Sequence, residues 1–148
     1  MNLPTSPIRK LSKHAEDAKA KGIEVIHLNI GQPDIQTPTR ALDAIKSFDQ
    51  NVLAYGPSEG SLAYRQKMCS YYAKHNIEVE PENILVTTGA SEAIIMTLDC
   101  ITNEGDELII PEPFYANYDT FAAACGVKVV PVSSTIDTHF SLPSIDEI

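Results

Sequence analysis

Two rhythms of apolar and polar residues divide the chain. From residue 84 onward, short continuous apolar runs alternate with longer segments of helical spacing. They predict a strand at 84–88, a helix at about 91–102, a strand at 107–110, a helix at about 115–125 and a strand at 127–132. Ahead of residue 80 the helical period dominates. Ile8, Leu11, Ala15 and Ala18 mark one face until Gly22 stops the helix, and Ser6-Pro7 supplies its N-cap and first-position proline. Thr37-Pro38 repeats that start signal for a second helix through Leu42, Ile45 and Phe48. Tyr64, Met68, Tyr71 and Tyr72 then stand at i, i+4, i+7 and i+8 on a third. Glu24–Leu28 is a short extended segment, and Tyr55–Gly60, with two glycines and a proline, is a loop.

The second rhythm is a βαβαβ run. Strands with near-continuous apolar character between helices indicate a mainly parallel sheet covered on both faces, so the fold class is α/β. Gly105-Asp106 and Gly126 fall where helices should end and strands begin. At the far end, Pro143 precedes Ser144-Ile145-Asp146-Glu147, whose S-x-x-E spacing is that of a capping box opening a helix. A capping box one residue from the last position leads us to expect a piece of a longer domain, because an isolated helical turn is not stable.

Composition narrows the partners. At 148 residues and 43% hydrophobic content the chain fits one domain able to bury a core. Its formal charge of −9 repels phosphate backbones and anionic membrane surfaces, so neither nucleic acid nor membrane is an expected partner. No apolar run approaches the ~18 residues of a membrane span. The opening Met1–Pro7 has no basic stretch followed by an apolar one, and a cytoplasmic location is expected. Cys69, Cys100 and Cys125 lie in apolar helix patterns and read as reduced core thiols. His14, His27, His75 and His139 have no metal-ligand spacing.

The most specific chemistry lies at Ile84–Ile94: an apolar strand, a glycine turn, then an apolar helix. A helix start leaves backbone N–H groups without intrahelical partners and carries about half a positive charge. An anion against Ala90 and Ser91 would be held by main-chain donors, with the Ser91 hydroxyl adding one more. Asn29-Ile30-Gly31-Gln32-Pro33-Asp34 and Pro111-Glu112-Pro113-Phe114-Tyr115-Ala116-Asn117-Tyr118 flank this turn in sequence, suggesting a phosphate-bearing cofactor with an aromatic shelf. Asp34 and Glu112 read as loop or capping carboxylates.

With Tyr55-Gly56-Pro57-Ser58-Glu59-Gly60, Thr87–Ile94 and Gly105–Tyr115, these segments occur in the order and spacing of one family. The sequence resembles the N-terminal part of fold type I, class I/II aminotransferases that use pyridoxal 5′-phosphate, over nearly its whole length. The resemblance implies an N-terminal arm and small-domain segment at 1–50 and the first part of the cofactor-binding large domain at 51–148. It places Gly89, Ala90 and Ser91 at the cofactor phosphate and the Tyr115 ring on the pyridine. It sets the Gly31 backbone near the substrate carboxylate. Tyr55 matches a tyrosine that reaches the phosphate in the neighbouring subunit of a homodimer. Amino acids and 2-oxo acids are the implied substrates.

In such enzymes the Schiff-base lysine, the acidic partner of the pyridine nitrogen, and the arginine that binds substrate carboxylate lie later in the sequence. Lys67, Lys74 and Lys128 match none of the family's motifs and read as surface residues. No catalytic residue is therefore expected within the chain, and alone it should not transaminate. In the family, later strands also separate the strand matching 84–88 from the other two, so an unpaired edge is expected. Other readings keep the cofactor but change the reaction, to a C–S β-lyase or a synthase, or keep the fold as a non-catalytic binding module.

Overall fold

The computed structural model describes residues 10–148. In chain order the regular elements are α1 (Ser12–Ala20), α2 (Thr39–Lys46), α3 (Leu62–Ala73), α4 (Ala90–Ile101), β1 (Glu107–Pro111), α5 (Asn117–Ala124) and β2 (Lys128–Val132). Single 3₁₀ turns stand at Pro81–Asn83, Ile136–Thr138 and Ile145–Glu147. Internal contacts divide the chain into two compact units, Met1–Ile30 with Thr88–Ile148, and Gly31–Thr87.

The first unit carries the α/β construction. β1 and β2 pair in parallel, with Glu107 beside Lys128 and Pro111 beside Val132, and α5 forms the crossover between them. The Glu112 N–H extends the ladder by bonding Val132 O at 2.8 Å. Pro131 lacks an N–H, as a residue of an edge strand can. α4 packs on α5, and α5 on β2. Leu98, Ala122 and Val127 are the buried apolar residues of this unit. Val127 is placed by the end of α5: its N–H bonds Ala122 O at 2.9 Å and the Gly126 N–H bonds Ala123 O at 3.2 Å, a Schellman ending. The same bond pair ends α1 at Gly22 and Ile23. The Ser6-Pro7 start signal of that first helix lies outside the described residues.

The segment expected as a strand at 84–88 is extended at Ile84, with φ −113° and ψ 121°, but joins no ladder. Among the described residues the sheet contains β1 and β2 alone. An apolar run favours extended backbone, whereas a ladder needs a neighbouring strand, and the Val86 N–H bonds the loop carbonyl of Glu59 at 3.0 Å instead. Glu24–Leu28 likewise forms no ladder, and Leu28 is exposed.

In the second unit, α2 starts one residue later than its sequence signal. Pro38 is the N-cap, with ψ 126°, and its carbonyl accepts from the Ala41 N–H at 2.9 Å. Phe48 falls beyond the helix, its N–H bonding Ile45 O. α3 is capped by Ser61, whose Oγ accepts from the Tyr64 N–H at 3.3 Å. On the tyrosine face Tyr64 and Tyr71 are half exposed and Met68 and Tyr72 partly covered, while the buried residue of α3 is Arg65. The cysteines also depart from the core reading. All three are free, but Cys100 is exposed and Cys69 and Cys125 are only partly covered. Helical spacing identifies which residues share a face; whether that face is covered depends on what packs against it.

Candidate functional site

The helix start at α4 is shaped by one backbone conformation. Gly89, its N-cap, has φ +88° and ψ 175°, a region open essentially to glycine. A Cβ built there meets nothing within 4 Å, so the glycine answers to the backbone and leaves open space beside the turn. The Glu92 carboxylate folds back to accept the Thr88 N–H, bracing the entry to the turn. The first main-chain bond within the helix runs from the Ala93 N–H to Gly89 O at 3.4 Å. The N–H groups of Ala90, Ser91 and Glu92 are thus left to face whatever lies beyond the helix end. Ala90 and Ser91 are exposed, so the Ser91 hydroxyl adds a donor at the same place. Open space, outward main-chain donors and a hydroxyl fit a phosphate group.

The aromatic shelf follows β1. Tyr115 is half exposed and meets Tyr118 edge-on, ring centroids 5.6 Å apart. Its hydroxyl accepts from Asn117 Nδ2 at 2.7 Å, which fixes the ring from the other end. Tyr118 stacks with Phe114 at 6.4 Å. Tyr118 also lines an apolar groove of about 390 Å³ with Ala93, Ile94 and Thr97 of α4 and Leu108 and Ile110 of β1. One ring therefore connects the Tyr115 shelf to the first turns of the helix that Gly89 opens. The Glu112 carboxylate is tied to its loop, accepting from Ser133 Oγ at 3.2 Å. Its carbonyl accepts from Ser134 Oγ at 2.6 Å.

Gly31 and Tyr55 belong to the second unit. A Cβ at Gly31 would meet nothing within 4 Å, and its φ lies outside the positive range, so the chain itself does not demand glycine there. Tyr55 is fully exposed, at 107%. Gly89, Ala90, Ser91 and Tyr115 all lie in the first unit. Sequence reasoning missed two residues. Glu92 carried a visible signal, an acid at the third position of a helix. Arg65 carried none, because a helical arginine ordinarily reads as a solvated charge.

Lys67, Lys74 and Lys128 are exposed, and Lys128 pairs with Glu107 at 2.7 Å across the first rung of the sheet. Among the described residues there is no cluster of three metal-ligating side chains, and no helix is long and apolar enough to cross a membrane.

A helix N-terminus beside a parallel sheet, open to an anion and neighboured by an aromatic shelf, defines the class of α/β proteins that seat phosphate groups at helix ends. Residues 23–147 match the family described as Aminotransferase class I and II, and the chain belongs to that family. It is 33% identical over 142 residues to an aspartate aminotransferase of Bacillus sp. (strain YM-2), covering 95% of this chain and 36% of that protein. It is 41% identical over 134 residues to a Bacillus subtilis protein named "Probable N-acetyl-LL-diaminopimelate aminotransferase", covering 88% of this chain and 33% of that one. Among solved structures, an aspartate aminotransferase from Thermotoga maritima superposes with a TM-score of 0.87 at 25% identity. The match covers 98% of this chain and 39% of that one. The chain thus spans between 33% and 39% of the length of these relatives, which belong to a pyridoxal-phosphate-dependent family.

Proposed function

We propose that the chain is the N-terminal part of a pyridoxal 5′-phosphate aminotransferase that moves an amino group between an amino acid and a 2-oxo acid. The observation that carries this reading is the Gly89 turn, whose open, donor-lined helix start sits inside a family match covering residues 23–147. In this reading Gly89, Ala90 and Ser91 hold the cofactor phosphate, and the Tyr115 ring lies against the pyridine. When bound, the cofactor supplies the electron sink for bond breaking at the substrate Cα. The chain's own residues bind and orient it. The main-chain donors of α4 neutralise the phosphate charge, and the shelf, fixed by Asn117 and Tyr118, restricts the tilt of the ring.

The Gly31 backbone would approach the substrate carboxylate, which accounts for a glycine that nothing among the described residues requires. Tyr55 would serve the phosphate of a neighbouring subunit in a homodimer, which accounts for an aromatic ring with no cover. Residues 1–50 would then contribute an arm and small-domain segment and residues 51–148 the start of the cofactor-binding domain of a cytoplasmic enzyme. The Schiff-base lysine is expected from a later segment of the longer protein.

The test compares the purified 148-residue chain with the product of the complete reading frame. The chain alone should show no aspartate or alanine aminotransferase activity, while the full product should turn over an amino acid and a 2-oxo acid in a cofactor-dependent manner. Transamination by the 148-residue chain alone would overturn this reading.

A further inference from the structure

Arg65 is 8% exposed, and its guanidinium is spent on the turn that follows Tyr55. Nε donates to Gly60 O at 3.2 Å, Nη2 to Glu59 Oε1 at 3.4 Å, and Nη1 to Pro81 O at 2.6 Å. Taking a guanidinium out of water is costly unless its donors are matched, and here two of three acceptors belong to the turn. The same turn is held from other sides. The Gly60 N–H closes it onto Pro57 O at 3.0 Å, and Glu59 O receives the Val86 N–H at 3.0 Å. Gly60 presses against Val86 so closely that a Cβ would stand 2.5 Å from Cγ2.

A loop fixed on three sides carries, just ahead of it, a tyrosine that is fully exposed. Helix stapling alone would be met by the Pro81 contact; the bonds to Glu59 and Gly60 act on the turn. We infer that Arg65 is a positioning residue for Tyr55, holding the 57–60 turn so that the backbone carrying Tyr55 is placed before the ring meets the phosphate of a neighbouring subunit. Fixing the backbone of a contact residue in advance removes that part of the ordering cost from the binding step. The inference rests on the role proposed above for Tyr55. Lysine cannot replace the fork, because an ammonium lacks the planar array that reaches three acceptors at once.

The experiment measures affinity for pyridoxal 5′-phosphate and for pyridoxal, which lacks the phosphate, by fluorescence titration of the product of the complete reading frame. The variants are Tyr55→Phe, Arg65→Lys and both together. Loss of one hydrogen bond to a charged group predicts about tenfold weaker binding of the phosphorylated cofactor by Tyr55→Phe. Arg65→Lys should weaken it to a similar degree, the double variant should be no weaker than the worse single one, and pyridoxal binding should be unchanged. Multiplying losses, equal weakening toward both ligands, or wild-type affinity in Arg65→Lys would overturn the inference while leaving Tyr55 its role. Wild-type affinity in Tyr55→Phe would overturn that role and the inference with it. Should Arg65→Lys fail to fold, Glu59→Ala removes one half-exposed contact and predicts a loss of about threefold confined to the phosphorylated ligand, with wild-type affinity counting against the inference.

Discussion

The chain contains two glycine turns that look alike as sequence and differ as structures. At Gly60, with φ +92°, the backbone needs glycine and the space beside it is filled by Val86. At Gly89, with φ +88°, the backbone needs glycine just as much, but the space beside it is empty. The first turn is closed by the chain's own groups, Arg65, Val86 and Pro57. The second is braced at its entry, through Glu92 and Thr88, and a Cβ at Gly89 would meet nothing. A turn whose surroundings are complete serves the fold. One whose backbone requires glycine while a Cβ would meet nothing leaves room beside it, and in the proposed function that room takes the cofactor phosphate.

Substituting alanine at each position separates the two. Gly60→Ala combines a left-handed backbone with a 2.5 Å overlap and should destabilise the chain by about 3 kcal/mol or more, measured by urea unfolding. Gly89→Ala carries the backbone penalty without the overlap and should cost about 1–2 kcal/mol. Its main effect should be on the ligand, lowering affinity of the full product for pyridoxal 5′-phosphate by tenfold or more because the helix donors are re-aimed. Equal stability losses at the two sites, with no loss of affinity at Gly89, would erase the distinction. Gly31→Ala sharpens it further. With neither a positive φ nor a neighbour to clash, stability should change by less than about 0.5 kcal/mol, while the KM for the amino acid should rise. A large stability loss would return Gly31 to the fold.

Much of this was legible in the sequence, and the limits are physical. The strand and helix pattern from 107 to 132 emerged within a residue or two, because apolar runs, glycine boundaries and helical spacing agreed there. The 84–88 strand did not form a ladder, since pairing depends on a neighbour that local pattern does not encode. The helix of Tyr64, Met68, Tyr71 and Tyr72 formed as its spacing predicts, but its buried residue was not legible. Period identifies a face, but Arg65 became the covered residue through carbonyls five and sixteen positions away. At the site, Gly89 was readable because its conformation is dictated locally. Tyr55 and Gly31 acquired meaning only by resemblance; in the structure Tyr55 is fully exposed and a Cβ at Gly31 would meet nothing within 4 Å.

The smallest predicted effect concerns the capping box at Ser144. The Glu147 carboxylate accepts from the Ser144 N–H and Oγ, both at 2.8 Å, and these bonds hold its pKa below the ordinary value. A lowered folded pKa means the cap contributes above the unfolded pKa and is lost as pH falls through the folded one. Ser144→Ala should move the Glu147 midpoint upward in an NMR titration, with little change in unfolding, because the group is fully exposed. An unchanged midpoint would show that the side-chain hydroxyl plays no part.

The central claim is that the Gly89 turn is built for a phosphate. It is tested most directly by titrating the product of the complete reading frame with pyridoxal 5′-phosphate and with pyridoxal, for wild type and Ser91→Ala. The account predicts saturable binding of one phosphorylated cofactor per chain, much tighter than pyridoxal, with Ser91→Ala narrowing that preference by about tenfold. Equal affinity for the two ligands, or a preference indifferent to Ser91→Ala, would contradict it.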